Sequence, residues 1–467
     1  MLHGHFGYNR HMILKQYYLG CLAHASYLIA DEKTKRAAVV DPQRDVEQYI
    51  AQAKKLGLRI EHVLLTHFHA DFVAGHLELQ KATGAKIHLG ARAKADYRFS
   101  PLSDGDELSL GEVRIKALET PGHTPEGVCY LVFDDAEAPG KPTAVLTGDT
   151  LFIGDVGRPD LMASVGVTAK QLAGMLYDSL REKLLPLPDG TLVYPAHGAG
   201  SLCGKNLSSE TVSTIGQQRK YNYALKDMTK AEFVKLVTAE QPQAPAYFAY
   251  DAGLNQSKRG ILEPGKLKKL TLKQAAARAK AGAQLLDTRD PGDFAAGHFP
   301  GSLNVGLGGK FASFAGQVID PAKPIVLLCE KGREKESFLR LGRIGFDRPV
   351  VGWLPISDVP KKDLVSLKRY SPEELRGALK SVAVLDVRTP GERASSAIPG
   401  STHVPLMQLR ARLKDVPKGK PLVVTCAGGY RSMMAASLLQ AAGREDVSDL
   451  EGGMSAWNEM PAACAAR

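Results

Sequence analysis

A short polar segment that follows an apolar strand restricts the possible folds most strongly. Val63–Leu65 precede the segment THFHADF at residues 66–72, which carries His67, His69 and Asp71 within one turn. Neutral imidazoles and a carboxylate suit Fe(II), Zn(II) or Mn(II) better than Ca(II). Neighbouring Gly and Pro residues favour loops at the further candidate ligands. These ligands are His123, Asp149 and His197. The pattern predicts a metal centre built on loops of an α/β domain.

Length and hydropathy predict a soluble protein of several domains. A chain of 467 residues corresponds to about three domains. No apolar run approaches the ~20 residues of a membrane span, so no membrane partner is expected. Residues 1–11 lack the apolar core of a signal peptide and are predicted to form a tail.

The six cysteines indicate a redox setting. They are widely spaced and form no Cys-x-x-Cys pair, which argues against a disulfide framework and a zinc finger. We therefore expect a reducing, cytoplasmic location. The residues are Cys21, Cys129, Cys203, Cys329, Cys426 and Cys464.

The net charge of +10 raises the question of nucleic-acid binding. Much of the excess lies in Lys258–Lys280, where eight basic residues stand against Glu263. No aromatic stacking platform or recognition motif accompanies them, so we expect no nucleic-acid partner. A solvated linker surface is the simpler interpretation, and it is compatible with attraction of small anionic thiols.

Composition and periodicity divide the chain into three domains. Residues 12–250 alternate short apolar runs with helical stretches, and residues 242–266 are rich in Pro, Gly and Lys. Two similar α/β units are predicted at 266–358 and 366–462. Both units have an aspartate at the end of one strand and a cysteine at the end of a later one, separated by 42 and 40 residues. This spacing indicates an internal repeat.

The two repeated cysteine loops differ in charge. In the second unit the loop CAGGYRS runs from Cys426 to Ser432, ends an apolar strand and opens a helix. Backbone N–H groups there favour a thiolate and an anion attached to it. In the first unit the loop CEKGRE places Glu330 and Glu334 beside Cys329. Negative charge raises the pKa of a thiol and repels anionic sulfur donors, which favours a packing or docking role, with weak activity at Cys329 as the alternative.

The metal segment resembles that of the metallo-β-lactamase superfamily, whose αββα sandwich collects metal ligands at one edge. Two-zinc hydrolases of that superfamily carry His-x-His-x-Asp-His, and the last position here is Phe72. A phenyl ring cannot bind a second ion, so one metal per chain is expected.

Single-metal members that this pattern resembles are the persulfide dioxygenases, in which two histidines and one carboxylate hold ferrous iron. The resemblance implies that His67, His123 and Asp149 hold Fe(II), and that a glutathione-contacting arginine is Arg158. It also implies a set of residues that orient the ligands and water, namely His69, Asp71 and His197. A face of two histidines and one carboxylate leaves positions open for O₂ and a sulfur ligand. No nucleotide cofactor is expected.

The second cysteine loop resembles the active loop of rhodaneses, with the pattern Cys-x-x-Gly-x-Arg. Asp386-x-Arg388 and the segment EGGMSAW at 451–457 extend the resemblance over nearly the whole unit. It implies that Cys426 is a nucleophile carrying persulfide sulfur and that Arg431 contacts the substrate. The first unit is then a degenerate rhodanese repeat.

The order of domains resembles bacterial fusions of a persulfide dioxygenase with rhodaneses that act in sulfide detoxification. This implies oxidation of glutathione persulfide, or a related thiol persulfide, with O₂ to sulfite and thiol, and sulfur transfer involving thiosulfate. A zinc-dependent hydroxyacylglutathione-type thioester hydrolase and a non-catalytic sulfur-carrier adaptor are the alternatives. The sequence leaves open the thiol, the direction of transfer, the oligomeric state (a homo-oligomer is one option), and roles for Cys203 and Cys21 near the metal.

Overall fold

The computed structural model describes residues 11–161, 166–205, 207–239, 241 and 244–460. The chain divides into two compact units. One is Met1–Leu262 with Gly342–Gly345, and the other is Glu263–Leu341 with Phe346–Arg467. Cys464 lies outside the described residues, as does most of the predicted tail at 1–11.

The first unit contains two six-stranded sheets. In the first sheet β1 to β3 are antiparallel and β3 to β6 are parallel, in chain order across the sheet. Its strands are β1 (Met12–Leu19), β2 (His24–Asp31), β3 (Arg36–Val40), β4 (Arg59–Leu64), β5 (Lys86–Gly90) and β6 (Ser100–Leu102). The second sheet has the order β12-β11-β10-β9-β8-β7. Its strands are β7 (Glu107–Ser109), β8 (Val113–Glu119), β9 (Val128–Asp134), β10 (Pro142–Gly148), β11 (Leu192–Pro195) and β12 (Ser213–Thr214).

Alternating side chains join these sheets into four layers. Tyr27 and Ile29 point from β2 into a core shared with Ile115 and Leu146 of the second sheet. The intervening Leu28 of β2 points to the opposite face and packs with helix α1, as the two-residue period of a strand requires. Helices α3 and α5 cover the outer face of the second sheet. The helices of this unit are α1 (Glu47–Leu56), α2 (His76–Thr83), α3 (Ala169–Ser179), α4 (Ile215–Tyr221), α5 (Lys230–Thr238) and α6 (Tyr247–Gln256). The predicted αββα sandwich is confirmed.

Local sequence signals explain one end of each of two helices. Helix α1 ends at Gly57, which adopts a left-handed conformation with φ of 68°. Glycine adopts this conformation with little steric strain because it has no Cβ atom. Thr168 caps α3 in a capping box with Gln171. Helix α3 ends at Ser179, and the chain continues through Leu180–Leu184 as a π-helical turn.

The region predicted as the first boundary contains helix α6. The predicted limit at residue 250 falls inside this helix, whose Phe248, Leu254 and Asn255 are buried. The proposed domain limits stay predictions.

The second unit contains two parallel sheets, one for each of the predicted α/β repeats. The strand order is β14-β13-β15-β16 in the first sheet and β19-β18-β20-β21-β17 in the second. The first four strands of the two sheets therefore correspond one to one, and β17 is an additional edge strand. The first four strands are β13 (Gln284–Asp287), β14 (Leu303–Asn304), β15 (Ile325–Cys329) and β16 (Val350–Pro355). The others are β17 (Arg369–Tyr370), β18 (Ala383–Asp386), β19 (Thr402–His403), β20 (Leu422–Thr425) and β21 (Val447–Leu450).

Nine helices accompany these sheets in the part of the chain described. They are α7 (Leu272–Lys280), α8 (Pro291–Ala296), α9 (Phe311–Val318), α10 (Glu334–Gly342), α11 (Pro372–Ala378), α12 (Pro390–Ser395), α13 (Leu406–Leu409), α14 (Tyr430–Ala441) and α15 (Gly453–Glu459). Among all the helices described, none combines the length and the apolar character that a membrane crossing requires.

Candidate functional site

The predicted metal ligands lie on loops that follow strands of both sheets. His67 follows β4 and His123 lies between β8 and β9, while Asp149 and His197 follow β10 and β11. All four side chains are buried. The sandwich thus brings to one edge residues that are far apart in the sequence.

The three residues assigned to iron by resemblance form one compact group. The ligand atoms of His67, His123 and Asp149 lie within 4.8 Å of one another. Nε2 of His67 is 3.9 Å, and Nε2 of His123 is 3.4 Å, from Oδ2 of Asp149. Burial, with the neighbouring histidines, lowers the pKa of His67 well below its usual value. A neutral imidazole is the form that binds a metal.

A second group adjoins the first. The ligand atoms of His69, Asp71 and His197 also lie within 4.8 Å of one another. Nε2 of His197 is 3.5 Å from Oδ1 of Asp71 and 3.6 Å from Oδ1 of Asp149. Nε2 of His69 is 3.0 Å from Oδ1 of Asp41. Burial lowers the pKa of His69, but Asp41 and the carboxylates of the site outweigh it and raise that pKa. The contact with Asp41 therefore fixes the orientation of the His69 ring.

Several buried polar atoms of the site fit a cation. Within the described residues, Nε2 of His197, Oδ1 of Asp71 and both carboxylate oxygens of Asp149 have no hydrogen-bond partner. Buried polar atoms are normally satisfied, since leaving them unpaired is costly. A divalent transition metal would satisfy this set of imidazole and carboxylate donors.

Hydrogen bonds on the far ring nitrogens fix the orientation of the ligands. Nδ1 of His123 lies 2.8 Å from the Arg158 carbonyl oxygen, to which it can donate. Nδ1 of His67 lies 3.0 Å from the Thr66 hydroxyl, which donates to Asp41 at 2.8 Å. Such contacts leave Nε2 available to a metal and hold the ring in place.

The Cys426 loop is shaped by two glycines. The Gly429 N–H donates to Sγ of Cys426 at 3.1 Å, from a left-handed conformation with φ of 88°. A Cβ atom on Gly453 would lie 2.4 Å from the Cys426 carbonyl oxygen. The Met454 N–H donates to this same oxygen at 2.7 Å. The segment at 451–457 therefore packs directly beneath the cysteine loop.

Arginines around this loop are held by carboxylates. Arg431 donates from Nη1 and Nη2 to Glu392 at 2.8 and 2.5 Å. Hydrogen bonding to Arg431, against the effect of burial, lowers the pKa of Glu392 to about 2. Arg388 makes a similar bidentate contact with Asp386. The role of Arg431 toward a substrate stays a prediction.

The first repeat carries a thiol of a different kind. Burial, followed by Glu334, Asp287 and Glu330, raises the pKa of Cys329 to about 12. Glu330 and Glu334 lie in the CEKGRE loop itself, at positions where the CAGGYRS loop has no carboxylate. A thiol in this environment stays protonated near neutral pH, which makes it a poor nucleophile.

Comparison with known proteins identifies both parts of the chain. The family model "Metallo-beta-lactamase superfamily" matches residues 19–197, and the model "Rhodanese-like domain" matches 271–351 and 371–460. Persulfide dioxygenase ETHE1, mitochondrial, from Bos taurus is 31% identical over 237 residues, or 50% of this chain and 83% of that protein. The chain belongs to the metallo-beta-lactamase superfamily. It carries two rhodanese-like domains in its C-terminal part.

Two further similarities agree with membership of the superfamily. Hydroxyacylglutathione hydrolase cytoplasmic from Arabidopsis thaliana is 37% identical over 187 residues, or 39% of this chain and 67% of that protein. A metallo-beta-lactamase structure from Staphylococcus aureus subsp. aureus COL matches with a TM-score of 0.66 at 29% identity, covering 74% of this chain and 100% of that chain. The fold match thus extends beyond the metallo-beta-lactamase segment.

An aromatic side chain fills the position of a fourth ligand in this superfamily member. Phe72 is buried, and its ring centroid lies 3.9 Å from that of His24 and 4.4 Å from that of His69. The sequence interpretation missed His24, a fully buried histidine at the start of β2. The sequence signal that could have identified His24 is its position at the start of a strand of mostly apolar residues.

Asn255 was also missed, although it supports the metal-binding loop. Its side-chain N–H groups donate to the carbonyl oxygens of His69 and Phe72, both at 2.8 Å. Its Oδ1 accepts from the Ala74 N–H, also at 2.8 Å. Asn255 lies on α6, beyond the part matched by the superfamily model. No local sequence signal links this helix to residues more than 180 positions earlier.

We expect Asn255→Leu to loosen the metal site. The similar-sized side chain leaves two carbonyls and one N–H unpaired, which costs about 3 kcal/mol of unfolding free energy. Loss of ligand orientation lowers metal affinity by about 10- to 100-fold. Thermal unfolding and metal retention during dialysis measure both effects, with the exposed Asn458→Leu as control. Unchanged metal retention in Asn255→Leu would show that α6 does not support the site.

The arginine and the two cysteines predicted near the metal differ in position. Arg158 is buried and donates to both oxygens of Asp160 at 2.7 Å, so a substrate carboxylate would compete with Asp160. Its predicted contact with glutathione stays a prediction. Sγ of Cys203 groups with Asp149 and His197 within 4.8 Å, and burial, then Asp71 and Asp149, raises its pKa. Cys21 is partly exposed.

Proposed function

We propose that the chain oxidises a low-molecular-weight thiol persulfide, with glutathione persulfide as the first candidate, to sulfite and thiol. Similarity to persulfide dioxygenases, together with the rhodanese-like domains, supports a persulfide-processing enzyme. The observation that carries the proposal is the compact group of His67, His123 and Asp149, with Phe72 in place of the ligand that a second ion needs.

The donor set supports one ferrous ion as the cofactor. His67 and His123 would supply neutral imidazoles and Asp149 one negative charge, which leaves ligand positions for O₂ and a sulfur ligand. When bound, ferrous iron supplies the redox chemistry that O₂ activation needs and that zinc lacks. The balanced reaction is RSSH + O₂ + H₂O → RSH + H₂SO₃. Its third oxygen comes from water, and Asp71 and His197 hold unpaired polar atoms beside the group that can orient this water.

The second part of the proposal is sulfur transfer at Cys426. A thiolate in this loop attacks the outer sulfur of a persulfide or of thiosulfate and releases a thiol or sulfite. The Gly429 N–H supports negative charge on the sulfur. Fusion in one chain keeps a site that forms sulfite at high effective concentration near a site that uses it. A reducing compartment such as the cytoplasm suits these free thiols.

A panel of persulfides tests this assignment. Glutathione persulfide, cysteine persulfide and an uncharged thiol persulfide are supplied to the iron-loaded full-length chain. Oxygen uptake, sulfite and thiosulfate are then measured. We expect oxygen-dependent sulfite from at least the glutathione compound, and thiosulfate when persulfide is in excess. Oxygen uptake with none of the three would contradict the proposal.

A zinc-dependent thioester hydrolase is the second candidate. It is favoured by the 37% identity to a hydroxyacylglutathione hydrolase and by the second possible ligand group at His69, Asp71 and His197. It predicts hydrolysis of an S-acylglutathione thioester by the zinc-loaded chain. A sulfur-carrier adaptor instead predicts protein-bound persulfide without catalytic oxygen uptake.

A further inference from the structure

The arginine of the reactive cysteine loop is already bound to a carboxylate of the same repeat. Nη1 of Arg431 lies 2.8 Å from Oε2 of Glu392, and Nη2 lies 2.5 Å from Oε1. Two parallel contacts of this kind make a strong, charge-assisted pair. Both side chains are partly buried. A substrate anion that binds this guanidinium must therefore compete with Glu392.

A second contact fixes the carboxylate in this position. Oε2 of Glu392 accepts from the Thr389 N–H at 2.9 Å, and the Thr389 hydroxyl accepts from the Glu392 N–H at 3.3 Å. These bonds form the capping box at the start of helix α12. Because the cap holds the carboxylate before any ligand binds, little further side-chain entropy is lost when Glu392 pairs with Arg431.

Arg431 also interacts electrostatically with the reactive sulfur. Burial lowers the pKa of Arg431, but the bond to Glu392 and the nearby Cys426 raise it overall. The guanidinium thus lies where its charge influences both Cys426 and an anion that approaches it. With Glu392 bound, this positive charge is largely neutralised.

Two further arginines of this repeat are paired in the same way. Arg388 donates to Asp386 at 2.7 Å, and Arg369 donates to Asp449 at 3.0 Å. The Gly429 N–H supports one negative charge on the sulfur. A dianion needs a cation as well, and each of the three arginines named here already binds a carboxylate.

The first repeat keeps the carboxylate but not the arginine. Asp293 is the third residue of helix α8, as Glu392 is of α12. The last position of the cysteine loop holds Glu334 in place of Arg431. The pair therefore accompanies the CAGGYRS loop, whose cysteine is the proposed nucleophile.

We propose that Glu392, by neutralising Arg431, makes the Cys426 site prefer persulfides over thiosulfate as the sulfur donor. Thiosulfate is a dianion, whereas a persulfide group carries at most one negative charge. Glu392 acts through Arg431 and is therefore a positioning residue. This inference rests on the proposed sulfur transfer at Cys426 and adds the class of donor that the site selects.

The favoured step is attack of the Cys426 thiolate on the outer sulfur of a persulfide. A new S–S bond forms at Cys426. The S–S bond of the donor breaks, its electron pair leaves on the thiol sulfur, and that sulfur takes the proton of the persulfide. The products are a thiol and a persulfide anion on Cys426, so atoms and charge balance.

Two alkylating reagents of different charge test the pair without any sulfur substrate. Iodoacetate and iodoacetamide both react with the thiolate, so the ratio of their rates at one pH is independent of the thiolate fraction. The ratio reports the charge near the sulfur, and it is measured on the Cys426 peptide of full-length protein by mass spectrometry. We expect Glu392→Gln to raise the iodoacetate-to-iodoacetamide ratio about threefold, the effect of one unit charge at about 6 Å in water.

Changes at the partner residue show whether the two charges act together. Arg431→Gln should lower the ratio by a similar factor, because Glu392 is then left without its cation. The double variant carries no charge at either position and should return to within about twofold of wild type. A double variant that keeps the raised ratio of Glu392→Gln would show that Glu392 acts without Arg431, which would overturn the proposal.

Sulfur loading of Cys426 measures the choice of donor. Full-length protein is mixed with thiosulfate or with an uncharged thiol persulfide, and the Cys426 persulfide is followed over time by mass spectrometry. We expect Glu392→Gln to raise the preference for thiosulfate about tenfold, because a dianion interacts twice as strongly with the released cation. The gain should come from a lower half-saturating concentration of thiosulfate and not from a higher maximal rate.

Glu374→Gln provides the matched control. Glu374 forms the capping box of α11 with Ser371 as Glu392 does with Thr389, and glutamine retains such a box. We expect this variant to keep the wild-type alkylation ratio and donor preference.

The sign of the change in Glu392→Gln is decisive. An unchanged or lowered alkylation ratio would overturn the proposal, because the carboxylate would then serve only to hold Arg431 in place. Sulfur loading from neither donor in the wild-type chain would refute the proposed sulfur transfer, while the alkylation ratios would still report on the pair.

Discussion

Replacing His123 by alanine is expected to remove both the bound iron and persulfide-dependent oxygen uptake. His123 contributes one of only two imidazoles in the group with Asp149, and its Nε2 lies 3.4 Å from that carboxylate. Loss of a group that merely orients a ligand lowers metal affinity by about 10- to 100-fold. Loss of a ligand itself should exceed that range. Metal analysis of anaerobically purified protein, with oxygen uptake on glutathione persulfide, measures the result.

A matched histidine of the same domain provides the control. His62 pairs with His88 at 3.0 Å on β4 and β5, outside the ligand groups. We expect His62→Ala to keep wild-type iron content and oxygen uptake. Oxygen uptake that survives His123→Ala with a full complement of iron would rule out His123 as a ligand.

Replacing Cys426 by serine is expected to lower thiosulfate–sulfite exchange by about a thousandfold or more, as removal of a catalytic nucleophile does. A serine hydroxyl in this loop cannot carry sulfane sulfur. The same variant should consume oxygen with glutathione persulfide at the wild-type rate, since the proposed iron ligands belong to another domain. Sulfur exchange and oxygen uptake are measured on one preparation.

The repeat offers its own control for Cys426. The pKa of Cys329 is raised to about 12 by burial and by its neighbouring carboxylates, so Cys329 supplies little thiolate. Cys329→Ser should therefore leave sulfur exchange within about twofold of wild type, the range of a change distant from the chemistry. Equal losses in the two variants, or exchange undiminished in Cys426→Ser, would refute the assignment of Cys426 as the nucleophile.

Local sequence patterns were sufficient for much of the fold. The alternation of Tyr27, Leu28 and Ile29 between two cores, and the capping box at Thr168, depend on neighbouring residues and could be predicted. The spacing of strand-end aspartates and cysteines likewise predicted the internal repeat. The π-helical turn at Leu180–Leu184 had no comparable local signal.

The supporting residues of the metal centre could not be predicted in this way. Asp41 reaches His69 from the end of another strand, and Asn255 reaches it from a helix in a segment whose composition suggested a domain boundary. Both contacts depend on the tertiary fold. Arg158 differs, because its partner Asp160 is only two residues away in the sequence. The sequence alone did not show that the Arg158 side chain is buried and bound to this carboxylate.

Phe72 remains the most informative residue of the metal-binding segment. Its ring packs on His24 and His69, at the position where the two-zinc hydrolases that the segment resembles carry a histidine. The ligand atoms of His67, His123 and Asp149 lie within 4.8 Å of one another, as do those of His69, Asp71 and His197. The phenylalanine at this position is the reason that we propose one redox-active ion rather than two hydrolytic ones.

Oxygen uptake by metal-reconstituted protein tests this conclusion most directly. The metal-free chain is divided and loaded anaerobically with ferrous iron or with zinc, and each sample receives glutathione persulfide and, separately, an S-acylglutathione thioester. We expect the iron protein to consume one O₂ for each molecule of sulfite or thiosulfate formed, and the zinc protein to consume none. Thioester hydrolysis by the zinc protein, without oxygen uptake by the iron protein, would contradict the proposed function.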